Sequence, residues 1–496
     1  MRQQTTVNLS QHFQQFRKNT IGVDQFFKTP FGKKQMIYVD WTASGRLYRP
    51  IEDALLNQFA PFVGNTHTET NITGTSMTVA YHTAKEIIKK HVNANEEDIL
   101  IMTGSGMTGA VNKFQRLLGL KDPSRFATAN DRPVIFVSNL EHHSNDISWR
   151  ETIADIETIR LCPEGNIDTN HLKELLVQYK NRPYKIAAIT ACSNVTGIQT
   201  PYPKIAKLMH KNGGWCFVDF ACSAPYVEID MHPKNNLKDL DAVYFSMHKF
   251  LGGPGTPGAL LFNKRFYQNK IPDNPGGGTV QWVNPWGEQQ YINALTPNGI
   301  EAREDGGTPP FLQTIKSALC IKLKEKMNSK LMMQRDEELL EIIFKQLENI
   351  PNLHILAPTI KKRLGVVSFN IDGLHYNLGV KLLNDYFGIQ VRGGCACAGP
   401  YGHYLLDITE NRSNKIWKQI DVGNLSVKPG WIRLSIHPIL TNEEVEYTLE
   451  SIKDLANNFL TWQHDYQYNP ITNEFKHRLV DEDKEQHDRI NEWFEI

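Results

Sequence analysis

The sequence has no surplus of charge: Lys plus Arg and Asp plus Glu are both 54 in 496 residues, so the formal net charge is zero. That balance withholds the domain-wide positive field on which binding to nucleic acid or to an anionic membrane rests. The nearest approach to a basic cluster, Lys361-Lys362-Arg363, reads as a solvated turn. Long apolar runs are missing as well. No stretch approaches the ~18 consecutive apolar residues of a membrane span, and MRQQTTVNLSQHFQQFRKNT at the N-terminus lacks the apolar core of a signal peptide. Cysteine is sparse and odd in number, seven in all, which argues against a disulfide framework and for reduced thiols in the cytoplasm. Neither an internal repeat nor a low-complexity tract interrupts the chain.

What the chain does have is 40% hydrophobic residues, enough for a substantial core and more than one domain. Between about residues 98 and 262 one theme recurs: a short apolar run ending in small or polar residues, then a helical pattern. The runs are DILIMTGSG, PVIFVSNLEHHSN, KIAAITACSN, WCFVDFACSA, AVYFSMHK and GALLF. Continuous hydrophobicity suits strands covered on both faces, and the intervening helices imply an α/β domain with a mostly parallel central sheet. Such sheets bind ligands beyond the carboxyl ends of their strands, where the polar residues fall here. From about residue 316 the pattern changes to long helices, GVVSFNIDG, WIRLSIH and a last helix with a capping box at Thr441 and Glu444. The expected layout is an N-terminal segment over 1–35, a large domain over 36–315, a smaller α+β domain over 316–462, and a polar tail over 463–496 that forms a peripheral helix or a mobile end.

Lys249 closes the strand-like AVYFSMHK. An isolated strand-end lysine often just reaches solvent, but a desolvated one loses its charge readily and forms Schiff bases with aldehyde cofactors. Asp219, at the end of WCFVD, is either an N-cap or a buried carboxylate in need of a cation, and the protonated ring nitrogen of pyridoxal phosphate is such a cation. In TGSGMTGAV, Gly106, Met107 and Thr108 open a helix whose free amides suit a phosphate. His142, followed by His143, Ser144 and Asn145, offers a flat ring at a strand end, for stacking or proton relay.

The ordered set GMTGAVN, EHHSN, SNVTG, VDFA, SMHK, RGGCACA and WIRLS resembles the class V aminotransferase-fold pyridoxal phosphate enzymes, and within them the group II cysteine desulfurase and selenocysteine lyase branch. The likeness covers roughly residues 36 to 460. It implies fold type I, pyridoxal 5′-phosphate as cofactor, a homodimer, an amino-acid substrate and a protein that accepts sulfur. By this resemblance Lys249 carries the Schiff base, Asp219 pairs with the pyridinium, and His142 stacks on the ring. Thr108, Ser246 and His248 hold the phosphate, and Thr279 of PGGGTV reaches the phosphate of a neighbouring subunit. Asn194 lies near the phenolic oxygen and the substrate, Arg433 binds the substrate α-carboxylate, and Ala43 lines the substrate pocket.

The stretch VRGGCACAGPYGH then decides between activities. Reading R-x-G-x-x-C from Arg392 puts Cys397 in the place of the family's nucleophile, with Arg392 favouring the thiolate, and Cys395 in the place of a family histidine. The residues themselves leave either thiol open as the nucleophile. Cys395, Cys397 and His403 lack the second pair of a zinc site, so no metal is expected. Cys222 stands where a glutamine is usual, Met107 where a threonine is common, and the connector from Cys397 to Arg433 is long enough for a lid or docking surface. The expected activity is removal of sulfur or selenium from cysteine-type substrates to give alanine through a cysteine persulfide. The alternatives are a C–S lyase, epimerase or aminotransferase on another amino acid, or a non-catalytic scaffold.

Overall fold

The computed structural model describes residues 8–66, 68–125, 128 and 131–495. Residues 1–7 of the expected N-terminal segment lie outside the described residues. The chain divides into two compact units, one formed by residues 19–21 and 42–334, the other by 1–18, 22–41 and 335–496.

The first unit is built on seven strands: β1 (Asp98–Thr103), β2 (Val134–Ser138), β3 (Asp155–Ile159), β4 (Lys185–Thr190), β5 (Trp215–Asp219), β6 (Ala242–Ser246) and β7 (Gly258–Asn263), in the order β1-β7-β6-β5-β4-β2-β3. The strands from β2 to β6 pair in parallel. β7 runs antiparallel to both of its neighbours. The segment between Lys249 and Gly258 is too short to cross over the sheet, so GALLF returns as a reversed strand. β2, β4 and β6 are buried along their whole length, as their apolar sequences require. Sequence pattern misses β3, whose DIETI is mostly half-buried because it closes the sheet at an edge. Helix α1 (Gly106–Leu117) lays Val111, Phe114 and Leu117 onto the sheet. Helix α2 (His143–Arg150) follows β2, and α3 (Phe311–Met327) ends at Asn328, where φ is +66° and a new helix, α4 (Ser329–Leu347), begins.

In the second unit a four-stranded antiparallel sheet has the order β8 (Leu353–Ile355), β9 (Val366–Ile371), β11 (Trp431–Ser435), β10 (Arg392–Gly394). Helix α5 (Tyr376–Phe387) packs on it, and Ile37–Tyr38 pairs in parallel with Ile389–Gln390. The connector after Cys397 forms α6 (Gly399–Leu405) and α7 (Glu410–Asp421). Helix α8 (Asn442–Trp462) carries the expected capping box: the Thr441 hydroxyl accepts the Glu444 N–H at 3.1 Å while Glu444 Oε2 accepts the Thr441 N–H at 3.0 Å. The polar tail folds as a hairpin, β12 (Tyr466–Asn469) and β13 (Glu474–His477), followed by α9 (Glu482–Glu492). Arg363 corrects the expected basic turn: it is only 1% exposed, and its guanidinium donates to the carbonyls of Ala357 and Ile360. Burial, not solvation, accounts for that arginine.

Candidate active site

The carboxyl ends of β4, β5 and β6 lie in register, Thr190 beside Asp219 beside Tyr244. Asp219 is 2% exposed, and Oδ1 accepts the Ala221 N–H at 2.7 Å. Burial raises its carboxyl to about 7, against the pull of that N–H and of the nearby Lys249 charge. A carboxyl so placed is ready for a cation that restores its charge. Lys249 ends the tight turn Met247–Lys249 directly after β6. On the same turn, His248 is lowered to about 4 by burial and by the Lys249 charge, and its Nδ1 lies 3.4 Å from Ser44 Oγ.

Gly106 and Gly258 explain why the loop before α1 can sit so close to this turn. Gly106 has φ of +61°, and a Cβ there would come within 2.7 Å of Ser246 Oγ. A Cβ on Gly258 would meet the Gly106 carbonyl oxygen at 2.0 Å. The Met107 N–H donates to Ser246 Oγ at 2.8 Å, and the Thr108 and Ser144 hydroxyls are 2.6 Å apart. Amides of a twelve-residue helix start and three hydroxyls therefore face one small region, a cradle suited to a phosphate.

His142 caps α2, with Nδ1 accepting the Ser144 N–H at 3.1 Å. That bond makes Nδ1 the acceptor and puts the proton of the neutral ring on Nε2. Beside it is a residue the sequence reading passes over: Glu141, 1% exposed, accepts from Ser138 Oγ and Asn145 Nδ2, both at 2.7 Å. Its carboxyl is raised to about 8, chiefly by burial and further by Asp219. Asn145 Oδ1 in turn accepts from Tyr244 Oη at 2.7 Å and from Trp149 Nε1 at 3.1 Å. The E and N of EHHSN were the only signal for this network.

Lys249, Asp219, His142, Gly106, Met107, Thr108, Ser246 and His248 thus gather at one rim. Asn194 is buried in the turn after β4, whose Ser193 Oγ accepts the N–H groups of Val195 and Thr196. Cys222 is buried with its thiol 3.7 Å from the Ser193 carbonyl oxygen. Ala43 is half-buried. Thr279 stands in a separate loop, fully buried in its own chain, its hydroxyl donating to the Gly276 carbonyl at 2.7 Å.

In the second unit Arg433, 3% exposed, donates through Nη2 to Asp40 Oδ1 at 2.7 Å, and Arg392 through Nε to Asp40 Oδ2 at 3.0 Å. Two guanidinium charges against one carboxylate leave a unit of positive charge, which suits an incoming carboxylate. Sequence gives no hint of Asp40 in this role. At the end of β10 and just beyond it, Gly394, Ala396 and Cys397 all have positive φ (+111°, +50° and +56°), and the Ala398 N–H closes the turn on the Cys395 carbonyl at 3.1 Å. Cys397 is exposed and Cys395 half-buried. Both ring nitrogens of His403 are engaged, by the Gly399 carbonyl and Ser413 Oγ, each at 2.8 Å. Among the described residues no group of three or more His, Cys, Asp or Glu is placed to hold a metal ion, and no helix is long and apolar enough to cross a membrane.

A model of the family "Aminotransferase class-V" matches residues 37–448. A probable cysteine desulfurase of Staphylococcus epidermidis is 28% identical over 378 residues, 75% of this chain and 85% of that protein. One from Staphylococcus aureus is 27% identical over 377 residues, again 75% and 85%. Among solved structures, the apo cysteine desulfurase of Thermococcus onnurineus NA1 superposes with a TM-score of 0.68 at 24% identity, covering 85% of this chain and 95% of that one. The cysteine desulfurase CsdA of Escherichia coli gives a TM-score of 0.70 at 21% identity, covering 92% and 99%.

Proposed function

The chain belongs to the aminotransferase class-V family, and from that premise we propose that it is a pyridoxal 5′-phosphate-dependent cysteine desulfurase that takes sulfur from L-cysteine-type substrates and leaves alanine. The observation that carries the cofactor is Asp219: a buried carboxyl raised to about 7 beside Lys249, at the same rim as a phosphate cradle. The relatives named cysteine desulfurases and the thiol loop at Cys397 support the reaction.

When bound, pyridoxal phosphate supplies an aldehyde and an electron-withdrawing ring. In this reading Lys249 Nζ would be the amine that holds the aldehyde, and Asp219 would be the carboxylate partner of the ring nitrogen. His142, with its proton on Nε2, would be the flat side chain against the ring. Gly106, Met107, Thr108, Ser246 and His248 hold the phosphate, and Asn194 faces the substrate side near Ala43. Arg433 binds the substrate carboxylate, oriented by Asp40, with Arg392 adding positive charge. Cys397 Sγ receives the sulfur as a persulfide, to be passed to an acceptor protein. The enzyme works as a homodimer in the cytoplasm, and a selenium-bearing substrate would use the same groups.

The test is an absorbance spectrum of purified protein before and after borohydride, then L-cysteine with alanine detection. A reducible band with alanine formed supports the reading. Pyruvate with ammonia, or a new keto acid, would replace the desulfurase with another class-V activity. Absence of any reducible band would refute the cofactor.

A further inference from the structure

The thiol loop carries backbone strain. Ala396 and Cys397 are consecutive non-glycine residues in the left-handed region. Such a conformation is unfavourable for L-residues and persists only where the surroundings over-determine it. The stem of the loop shows where that constraint enters. A Cβ on Gly393 would lie 2.6 Å from Asn377 Oδ1, and a Cβ on Gly430 would lie 2.7 Å from the Tyr376 ring and 2.8 Å from Gly394 Cα. Both sides of the stem therefore rest on Tyr376 and Asn377, the first residues of α5.

Those two residues are held from a part of the chain beyond the family match, which ends at residue 448. Asn473, in the turn of the C-terminal hairpin, is buried, and its Nδ2 donates to Tyr376 Oη at 2.7 Å. Its carbonyl accepts from Asn377 Nδ2 at 2.6 Å, and its Oδ1 accepts from Tyr468 Oη at 2.8 Å. Tyr376 Oη passes the connection on to the Lys428 carbonyl at 3.2 Å, and the Pro470 carbonyl accepts the Leu425 N–H at 2.8 Å. Asn473 itself has φ of +61°, a conformation asparagine tolerates better than most residues.

Resting on the desulfurase reading for its purpose, we propose that Asn473 is a positioning residue for the thiol loop: through Tyr376 and Asn377 the C-terminal hairpin clamps the stem at Gly393 and Gly430 and holds Cys397 outward in its left-handed turn. The hairpin is thus a working part of the thiol site.

The decisive variant is Asn473→Gly, which keeps the positive φ and the main-chain carbonyl and removes only the amide. In the full-length protein, with and without cofactor, alkylation of each thiol by iodoacetamide is followed by mass spectrometry together with amide exchange over residues 392–398. In the wild type, exposed Cys397 reacts ahead of half-buried Cys395. In the variant the ratio narrows and exchange in the loop quickens by about fivefold, the factor that goes with one hydrogen bond of ordinary net strength. Tyr376→Phe, which keeps the ring under Gly430, moves both readings in the same direction, and the double variant falls short of the sum of the two because they share the Asn473–Tyr376 hydrogen bond. A lowered melting temperature with thiol ratio and loop exchange unchanged would overturn the proposal and make the hairpin a mere cap. Should Asn473→Gly not fold, Tyr376→Phe decides by the same two readings. Neither reading requires turnover, so a failed desulfurase assay leaves this test standing.

Discussion

The rim of the seven-stranded sheet and the loop that carries Cys397 use their backbones in opposite ways. At the rim, ionisable side chains hang from the ends of regular, buried strands: Asp219 ends β5, and Lys249 follows β6 by one short turn. Their behaviour comes from desolvation, which raises Asp219 to about 7 and lowers His248 to about 4. The loop has an exposed thiol and two consecutive non-glycine residues at positive φ. Groups that must hold a charge state are best fixed in a low-dielectric wall, whereas a group that must meet more than one partner needs solvent access and pays in backbone strain.

Five substitutions sharpen or break this contrast. Lys249→Ala has the largest expected effect: the borohydride-reducible band disappears altogether, while alkylation of Cys397 proceeds at the wild-type rate. A change in thiol reactivity would mean that the two regions are not independent. Cys397→Ala reverses the pattern, leaving the band intact and cutting alanine formation from L-cysteine by about a hundredfold or more, as loss of a nucleophile does. Cys395→Ala in parallel assigns the nucleophile. Gly106→Ala places a methyl group 2.7 Å from Ser246 Oγ at a φ of +61°. Cofactor affinity, read by equilibrium dialysis, should fall about tenfold, with a stability loss of about 1–2 kcal/mol in thermal melts.

The smallest effect concerns Asp219 in protein stripped of cofactor. Its folded-state value, about 7, stands above the ordinary one, so the neutral form favours folding. This stabilisation is full below the unfolded value and is lost as pH rises through the folded value. Asn imitates the neutral acid. Asp219→Asn should therefore match the wild type in melting temperature near pH 4, gain on it by ~3 °C as the pH reaches 7, and hold that lead above. A lead that shrank with rising pH would mean that the carboxylate is stabilised in the fold and that the rim is not a desolvated wall.

How much of this was visible in the sequence follows from the same contrast. Strand ends advertise themselves: apolar runs stopping at Asp219, Ser246 and Thr190 mark the rim because burial on both faces forces a continuous pattern. β3 escapes that logic, since an edge strand need bury little, and the direction of β7 depends on a connection length that hydrophobicity does not encode. The pairings that escape entirely are remote in the chain. Asp40 and Arg433 are 393 residues apart, and Asn473 and Tyr376 are 97 apart. No local pattern links such partners, because a short polar side chain in a loop looks the same whether it faces water or a buried arginine. Glu141 was in view within EHHSN, but its role depends on Asn145, Tyr244 and Trp149 closing around it in three dimensions.

The reach of Asp40 along the chain also separates it from its partner in time. The unit that houses the arginine pair joins residues 22–41 to residues 335–495, so Asp40 emerges from the ribosome 393 residues before Arg433 does. At ordinary synthesis rates that is a wait of roughly 20–80 s. Within that interval the last residue of the seven-stranded unit, which runs from 42 to 334 apart from three earlier residues, has been synthesised. The arginine pair on Asp40 and the thiol loop are therefore the last parts of the protein to be born, and a prematurely terminated chain carries the rim of the seven-stranded sheet without either of them.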